Sequence, residues 1–303
     1  MAVNRGWTYR EQVGPGGGGR TLLAYLTTTR LHSTEEEWAA RIERGEVEVA
    51  GARARGNEII LPGQTVAWNR PPWDEETVPR HYELIHEDES IIVVNKPGGL
   101  PTMPAGGFLE NTLFALVRER YPGASPLHRL GRGTSGLVLF ARDKPAASQL
   151  ARAWRDRAVR KTYRALGHGS TRAEMFVIDV PIGPVPHPRI GTVQAACEGG
   201  RPSHSVAVVL ERRHEQTLFS IDITTGRPHQ IRIHMAYAGH PLVGDPLYDA
   251  GGSVKHDPGL PGDGGYFLHA ERLQFAHPTT GQPMTVTATP PPELQTQAEL
   301  VHG

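Results

Sequence analysis

The stretch "LHRLGRGTSGLVLFARDK", residues 127–144, decides the fold. Its second half, "GLVLFARD", is a nearly continuous apolar run ended by charge. That is the pattern of a strand buried on both faces in the middle of a sheet. Its first half, "HRLGRGTSG", is a polar turn with a histidine, two arginines, three glycines, a threonine and a serine. Such a turn can offer cations and backbone N–H groups to an anion. It contains no acid, so any acid–base chemistry must draw on other parts of the chain.

Strands and helices alternate irregularly on either side of this stretch. "YELIHEDESIIVVNKPGGL" (82–100) reads as strand, acidic turn, strand and a Pro-Gly stop. "ENTLFALVRERY" (110–121) has helical spacing at Leu113, Leu116 and Val117, and "PAASQLARAWRDRAV" (145–159) opens a helix on a proline. "KTYRALGHG", "SVAVVLERR" and "TLFSIDITTG" read as strands. "RPHQIRIHMAYAG" (227–239) reads as a helix, with Thr225, Pro228 and Gly239 where a cap, a first-turn proline and a terminal glycine belong. The order predicts an α+β fold with a largely antiparallel sheet.

Upstream, "GPGGGG" (14–19) lacks the Gly-Lys-Ser/Thr that a phosphate-binding loop requires, and reads as a flexible turn. Ser33 or Thr34 can cap a helix through "EEEWAARIERG", with acids in its first turn and Gly45 as its stop. "VEVAG" and "TVAW" follow as short strands. The expected divisions are an extension over 1–21, a small domain over 22–68, a Pro-rich linker over 69–80, a larger domain over 81–295 and a tail over 296–303.

The 303 residues carry 32 Lys and Arg against 32 Asp and Glu, so bulk charge announces no nucleic-acid partner and its distribution has to be read instead. Arg152, Arg155, Arg157, Arg160, Lys161 and Arg164 crowd one short span with Trp154 and Tyr163 between them, a composition suited to phosphates and stacked bases. Cys197 is the sole cysteine, which excludes an intramolecular disulfide and fits a reducing compartment. The N-terminus has no apolar core of a secretory signal, and no run reaches membrane-spanning length. His229 and His234 are five apart, on different helix faces and with no carboxylate between them, so no metal is expected. No Gly-x-Ser-x-Gly elbow supports a serine nucleophile.

Five segments in order, "VVNKPGGLPT", "HRLGRGTSGLVLFARDK", "KTYRAL", "TTGRPHQIRIHMAYAGHPLVGDPLY" and "LHAERLQFAHPTTG", resemble the RluA family of RNA pseudouridine synthases over residues 83–290. Residues 22–62 also resemble the small RNA-binding domain of a ribosomal small-subunit protein, often fused ahead of this catalytic domain. The resemblance implies an antiparallel sheet with a central cleft and flanking helices. It implies cofactor-free isomerisation of uridine in ribosomal or transfer RNA by a cytoplasmic monomer. In that reaction the N1–C1′ bond breaks, the uracil turns and C5 joins C1′.

The family motif reads His-Arg-Leu-Asp, and its aspartate acts at the sugar, on C1′ or on the C2′ proton. Here that position is Gly131. Carried over residue by residue, Tyr163 stacks on the base and serves the C5 proton, Arg232 is the aspartate's partner and Arg129 displaces the target nucleotide. His128, Thr134, Ser135, Lys96, Lys161, Arg227 and Gln230 are the expected substrate-binding residues.

Without the aspartate, Arg232 needs another counter-charge, because a guanidinium cannot discharge itself and an unpaired buried charge is costly. Asp245 is the best candidate, ahead of Asp222 and Asp143; water or a bound anion would also serve. A cavity is expected beside Gly131, with room for an aspartate side chain. Three readings stay open: an isomerase with an atypical site, an RNA-binding protein without catalysis, and an enzyme of other chemistry on a nucleotide or small molecule.

Overall fold

The computed structural model describes residues 3–30 and 32–302. The chain divides into two compact units that part between Glu75 and Glu76.

In the first unit, β1 (Trp7–Gln12) leads through a short 3₁₀ turn at Pro15–Gly17 to α1 (Leu22–Thr29) and α2 (Glu35–Glu43). β2 (Val47–Val49), β3 (Ala52–Arg53) and β4 (Thr65–Arg70) complete a sheet in the order β1-β4-β2-β3. Thr34 caps α2 in a reciprocal box: its hydroxyl accepts from the Glu37 N–H and the Glu37 carboxylate accepts from the Thr34 N–H. Trp38 and Ile42 then face a core with Leu22, Tyr25, Leu26 and Val47. The sheet takes in residues that the sequence reading left outside the domain. β1 lies in the expected extension and the end of β4 lies in the expected linker. Their pairing places Tyr9 opposite Trp68, with the rings stacked at 5.3 Å. The cross-strand aromatic contact supplies what local propensity does not announce.

The second unit is built on a ten-stranded sheet. Its elements in chain order are β5 (Glu83–Glu87), β6 (Ile91–Lys96), α3 (Leu113–Arg120), β7 (Ser125–Pro126), β8 (Ser135–Ala141) and α4 (Lys144–Arg155). There follow β9 (Arg160–His168), β10 (Met175–Ile178), β11 (Ile182–His187), β12 (Gly191–Ala196), β13 (Ser205–Arg213) and β14 (Gln216–Ile223). The unit ends with α5 (Gln230–Tyr237), β15 (Tyr248–Asp249), β16 (Ser253–Val254), β17 (Leu268–Ala276), β18 (Pro283–Thr287) and α6 (Gln297–His302). The sheet runs β10-β13-β14-β9-β17-β8-β6-β5, with β18 added to β17 and β7 to β8. β11–β12 and β15–β16 form separate hairpins.

All pairings in the large sheet are antiparallel except β17 with β8. At that junction Gly136 has φ +110°, and a Cβ there would lie 2.4 Å from the Ala270 carbonyl oxygen. The last glycine of "HRLGRGTSG" is therefore fixed by the close approach of two strands. β8 alternates Val138 and Phe140 toward one core with Leu137 and Leu139 toward another. The first core also holds residues of α3 and α5, and the second holds Ala146 and Leu150 of α4. Burial on both faces explains the unbroken apolar run. The fold is α+β with a mostly antiparallel sheet. Among the described residues no helix is long and apolar enough to cross a membrane.

α5 begins two residues later than its proline suggests. His229 precedes it in the left-handed region, φ +59°, and no side chain caps it. The Gln230 side chain instead accepts from the Thr225 hydroxyl and the Arg227 N–H, which ties residues 225–227 into a turn ahead of the helix. Gly239, φ +87°, follows the helix as expected. Part of the expected tail forms α6, and its Glu299 pairs with Arg164.

Candidate active site

The "HRLGRGTSG" turn, the Lys161–Tyr163 segment of β9, the start of α5 and the loop before β17 meet around a cleft of about 310 Å³. Alternation along β9 decides which of its residues reach it. Lys161 and Tyr163 line the cleft, whereas Thr162 bonds Asp222, and Arg164 bonds Glu271 and Glu299. Arg164 is thus committed to structural ion pairs and leaves the basic cluster read from the sequence. Arg152, on the exposed side of α4, pairs with Asp156 at 3.5 Å.

Tyr163 is buried within the apolar cluster, and its hydroxyl has no hydrogen bond among the described residues. Desolvation pushes it up to about 12, so it is a neutral phenol at physiological pH. His128 stacks on Trp154 at 4.7 Å and 19°, and its Nε2 accepts from the Leu139 N–H. The Lys161 ammonium lies 5.6 Å from the Trp154 ring centre. Its burial lowers the cost of losing a proton. Arg129 stands exposed at the rim with no ion pair among the described residues.

Arg232 lies across the floor. Its Nε donates to Asp245 Oδ2 at 2.7 Å and its Nη2 to Oδ1 at 2.8 Å. Asp245 also accepts from the N–H groups of Leu247 and Tyr248, and the guanidinium and these donors hold its carboxyl below the usual carboxylate range. Nη1 of Arg232 is buried without a partner among the described residues. Asp222 and Asp143, the other two candidates, are taken by Thr162 and by the cap of α4.

The cavity expected at Gly131 is filled. The Tyr266 ring centre lies 4.2 Å from the Arg232 guanidinium carbon, and the ring packs against the "GRG" turn. A Cβ on Gly131 would sit 2.9 Å from the Tyr266 hydroxyl and 3.5 Å from that of Thr134. A Cβ on Gly133 would sit 3.0 Å from the same ring. Neither glycine has a positive φ. Both are small because a phenol occupies the space where side chains would start. The Thr134 and Tyr266 hydroxyls are 3.3 Å apart, and the Thr134 N–H closes the turn on the Gly131 carbonyl. An aspartate at 131 therefore does not fit without displacing Tyr266. Sequence reading missed Tyr266; a tyrosine just ahead of a strand is a common core residue, and only its contact with Gly131 singles it out.

The remaining expected residues divide. Arg227 and Gln230 line the cleft, but Gln230 is spent internally: besides the two bonds above, its amide donates to His204 O and Ser205 Oγ. Lys96 and Ser135 line a different hollow. Lys96 is fully buried and donates to the carbonyls of Pro97, Leu100 and Arg132, clamping the Pro-Gly turn to the "HRLGRG" segment. Ser135 bonds His269. His229 donates to or accepts from Tyr248 Oη, which itself donates to Gln194 O. Because Tyr248 spends its proton on that carbonyl, the His229 Nδ1 is the donor and its Nε2 is left as an acceptor. Among the described residues no acid lines the cleft. Among the described residues no cluster of three or more His, Cys, Asp or Glu is placed to hold a metal ion.

The family model for RNA pseudouridylate synthase matches residues 90–237, which carry the turn, β9 and α5. A protein of Synechocystis described as an uncharacterized RNA pseudouridine synthase is 40% identical over 91% of this chain and 96% of its own. The chain belongs to the RNA pseudouridine synthase family. Ribosomal large subunit pseudouridine synthase D of Neisseria meningitidis serogroup B is 33% identical over 91% of this chain and 77% of its own. Among solved structures, human RNA pseudouridylate synthase domain containing 1 superposes with a TM-score of 0.59 at 27% identity, over 76% of this chain and 96% of that one. In this pseudouridine synthase family member the cleft just described is therefore the place to look for uridine chemistry.

Proposed function

We propose that this protein isomerises uridine to pseudouridine in ribosomal or transfer RNA, as a cytoplasmic monomer and without a cofactor. The observation that carries the reading is the cleft. It is sized for a planar base, with Tyr163 in its wall and Arg129, Lys161 and Arg227 lining it. A base turned out of an RNA strand gains stacking there, and the cations take its flanking phosphates. Tyr163 offers a ring for the base and an unspent hydroxyl for the C5 proton. Arg232, Gly131 and Thr134 then face the sugar. The first unit, with residues 22–68 at its centre, supplies further RNA contact in this reading.

Incubation with unmodified transcripts carrying tritium at uracil C5 tests it. Isomerisation releases the label to water, and chemical mapping then locates the pseudouridine. One specific observation favours a second reading, RNA binding without catalysis: among the described residues no acid lines the cleft. Tight binding of the same transcripts with no tritium release and no mapped site would select it.

A further inference from the structure

We propose that the Tyr266 hydroxyl acts on the sugar in place of the carboxylate that position 131 lacks. The inference rests on the isomerase reading above and names the group that performs its first step. Three observations converge. The phenol oxygen lies 2.9 Å from where a Cβ on Gly131 would be, a distance comparable to the reach of an aspartate's oxygens from its own Cβ. Gly133 leaves room for this ring and Gly131 for its hydroxyl, so the missing acid and the added phenol are one arrangement. The ring lies on Arg232, the residue that would otherwise pair with the aspartate, with its centre 4.2 Å from the guanidinium carbon.

Tyrosine is an established nucleophile at an anomeric carbon in one class of glycoside hydrolase. Here the phenol oxygen attacks C1′ as the N1–C1′ bond breaks. The electron pair of that bond leaves on uracil N1, which takes the phenol proton. The uracil turns, and C5 attacks C1′; the C1′–O bond breaks and its pair returns to the phenol oxygen. The resulting phenolate takes up the proton lost from C5, relayed by the Tyr163 hydroxyl, which is itself a neutral phenol. N1 gains one proton, C5 loses one, a C–N bond is exchanged for a C–C bond, and no co-reactant enters. The Thr134 hydroxyl, 3.3 Å from the phenol oxygen, orients it.

Tyr266→Phe is the test, because phenylalanine keeps the ring on Arg232 and against Gly133 and removes only the oxygen that meets Gly131. With tritiated ribosomal and transfer RNA transcripts, turnover should fall roughly 10²–10⁴-fold, the range for losing a group that acts in the transition state, while RNA affinity stays within about twofold. Gly131→Asp combined with Tyr266→Phe rebuilds the carboxylate in the vacated space and should recover part of that loss. Acid-quenched reactions of the wild type should hold RNA on the peptide that contains Tyr266. Wild-type turnover in Tyr266→Phe, or RNA attached to a different residue, overturns the inference and leaves the isomerase reading standing. A wild type that binds the transcripts but releases no tritium overturns both.

Discussion

Arg232 and Asp245 form a buried bidentate ion pair, with side chains only 2% and 1% exposed. It supplies the counter-charge that a buried guanidinium needs, and it anchors the start of α5 to the loop ahead of β15. Removing one partner of such a pair leaves the other charge desolvated. Asp245→Asn should therefore destabilise the second unit by roughly 3–5 kcal/mol, measured by urea denaturation. The Asp245 carboxyl is held below its unfolded value of about 3.9. Its contribution is complete above that pH and is lost as pH falls through the folded value. The gap between wild type and Asp245→Asn should close in acid.

Gly131→Asp, expected from the sequence to fit, should destabilise the protein by about 1–3 kcal/mol, the usual cost of overpacking. In a double-mutant cycle with Tyr266→Phe, the two changes should couple by roughly 0.5–3 kcal/mol, the aspartate being cheaper once the hydroxyl is gone. Additive effects would place the phenol elsewhere than against Gly131.

Tyr163→Phe should leave RNA affinity near wild type, since stacking needs only the ring, and lower tritium release by about 10²-fold or more. Equal losses in binding and turnover would make Tyr163 a structural residue.

Stability should begin to fall below pH 6.5, before carboxylates titrate. Burial pushes His269 down to about 4, and burial together with Arg232 and Arg129 pushes His229 down to about 3. Both sit near 6.5 in the unfolded chain. Above that value neither state is protonated and they contribute no pH dependence. Between about 6.5 and 4 the unfolded chain takes up protons that the folded chain refuses, so unfolding becomes easier as pH falls. Denaturation midpoints from pH 7.5 to 4.5, in wild type and in His269→Gln, would show the slope and its reduction.

Arg129, exposed at the rim with no ion pair among the described residues, is a phosphate contact in the proposed complex. Arg129→Ala should weaken binding of all transcripts alike and lower the slope of log affinity against log salt by about 0.7–0.9, the loss of one phosphate. Loss of affinity for one RNA sequence alone would make it a base contact.

Local chemistry made much of this legible. The capping box at Thr34, the double-faced apolar run of β8 and the terminal glycine of α5 depend on neighbours in the chain, and they appear where the sequence places them. Strand alternation even sorts Lys161 and Tyr163 from Arg164, once one face of β9 is known to meet the cleft. The family and its motif order were likewise contained in residues 83–290. What the chain order could not decide was which distant groups share a space. Lys96 looks like a substrate ligand until three carbonyls, one of them 36 residues away at Arg132, are seen to hold it. Gly131 reads as an absence until Tyr266, 135 positions later, is found lying on it. Propensity and patterning act over a few residues, so they reach the elements. The occupancy of a site is set by packing between β8, β9, α5 and the loop ahead of β17, and only the folded chain brings those together.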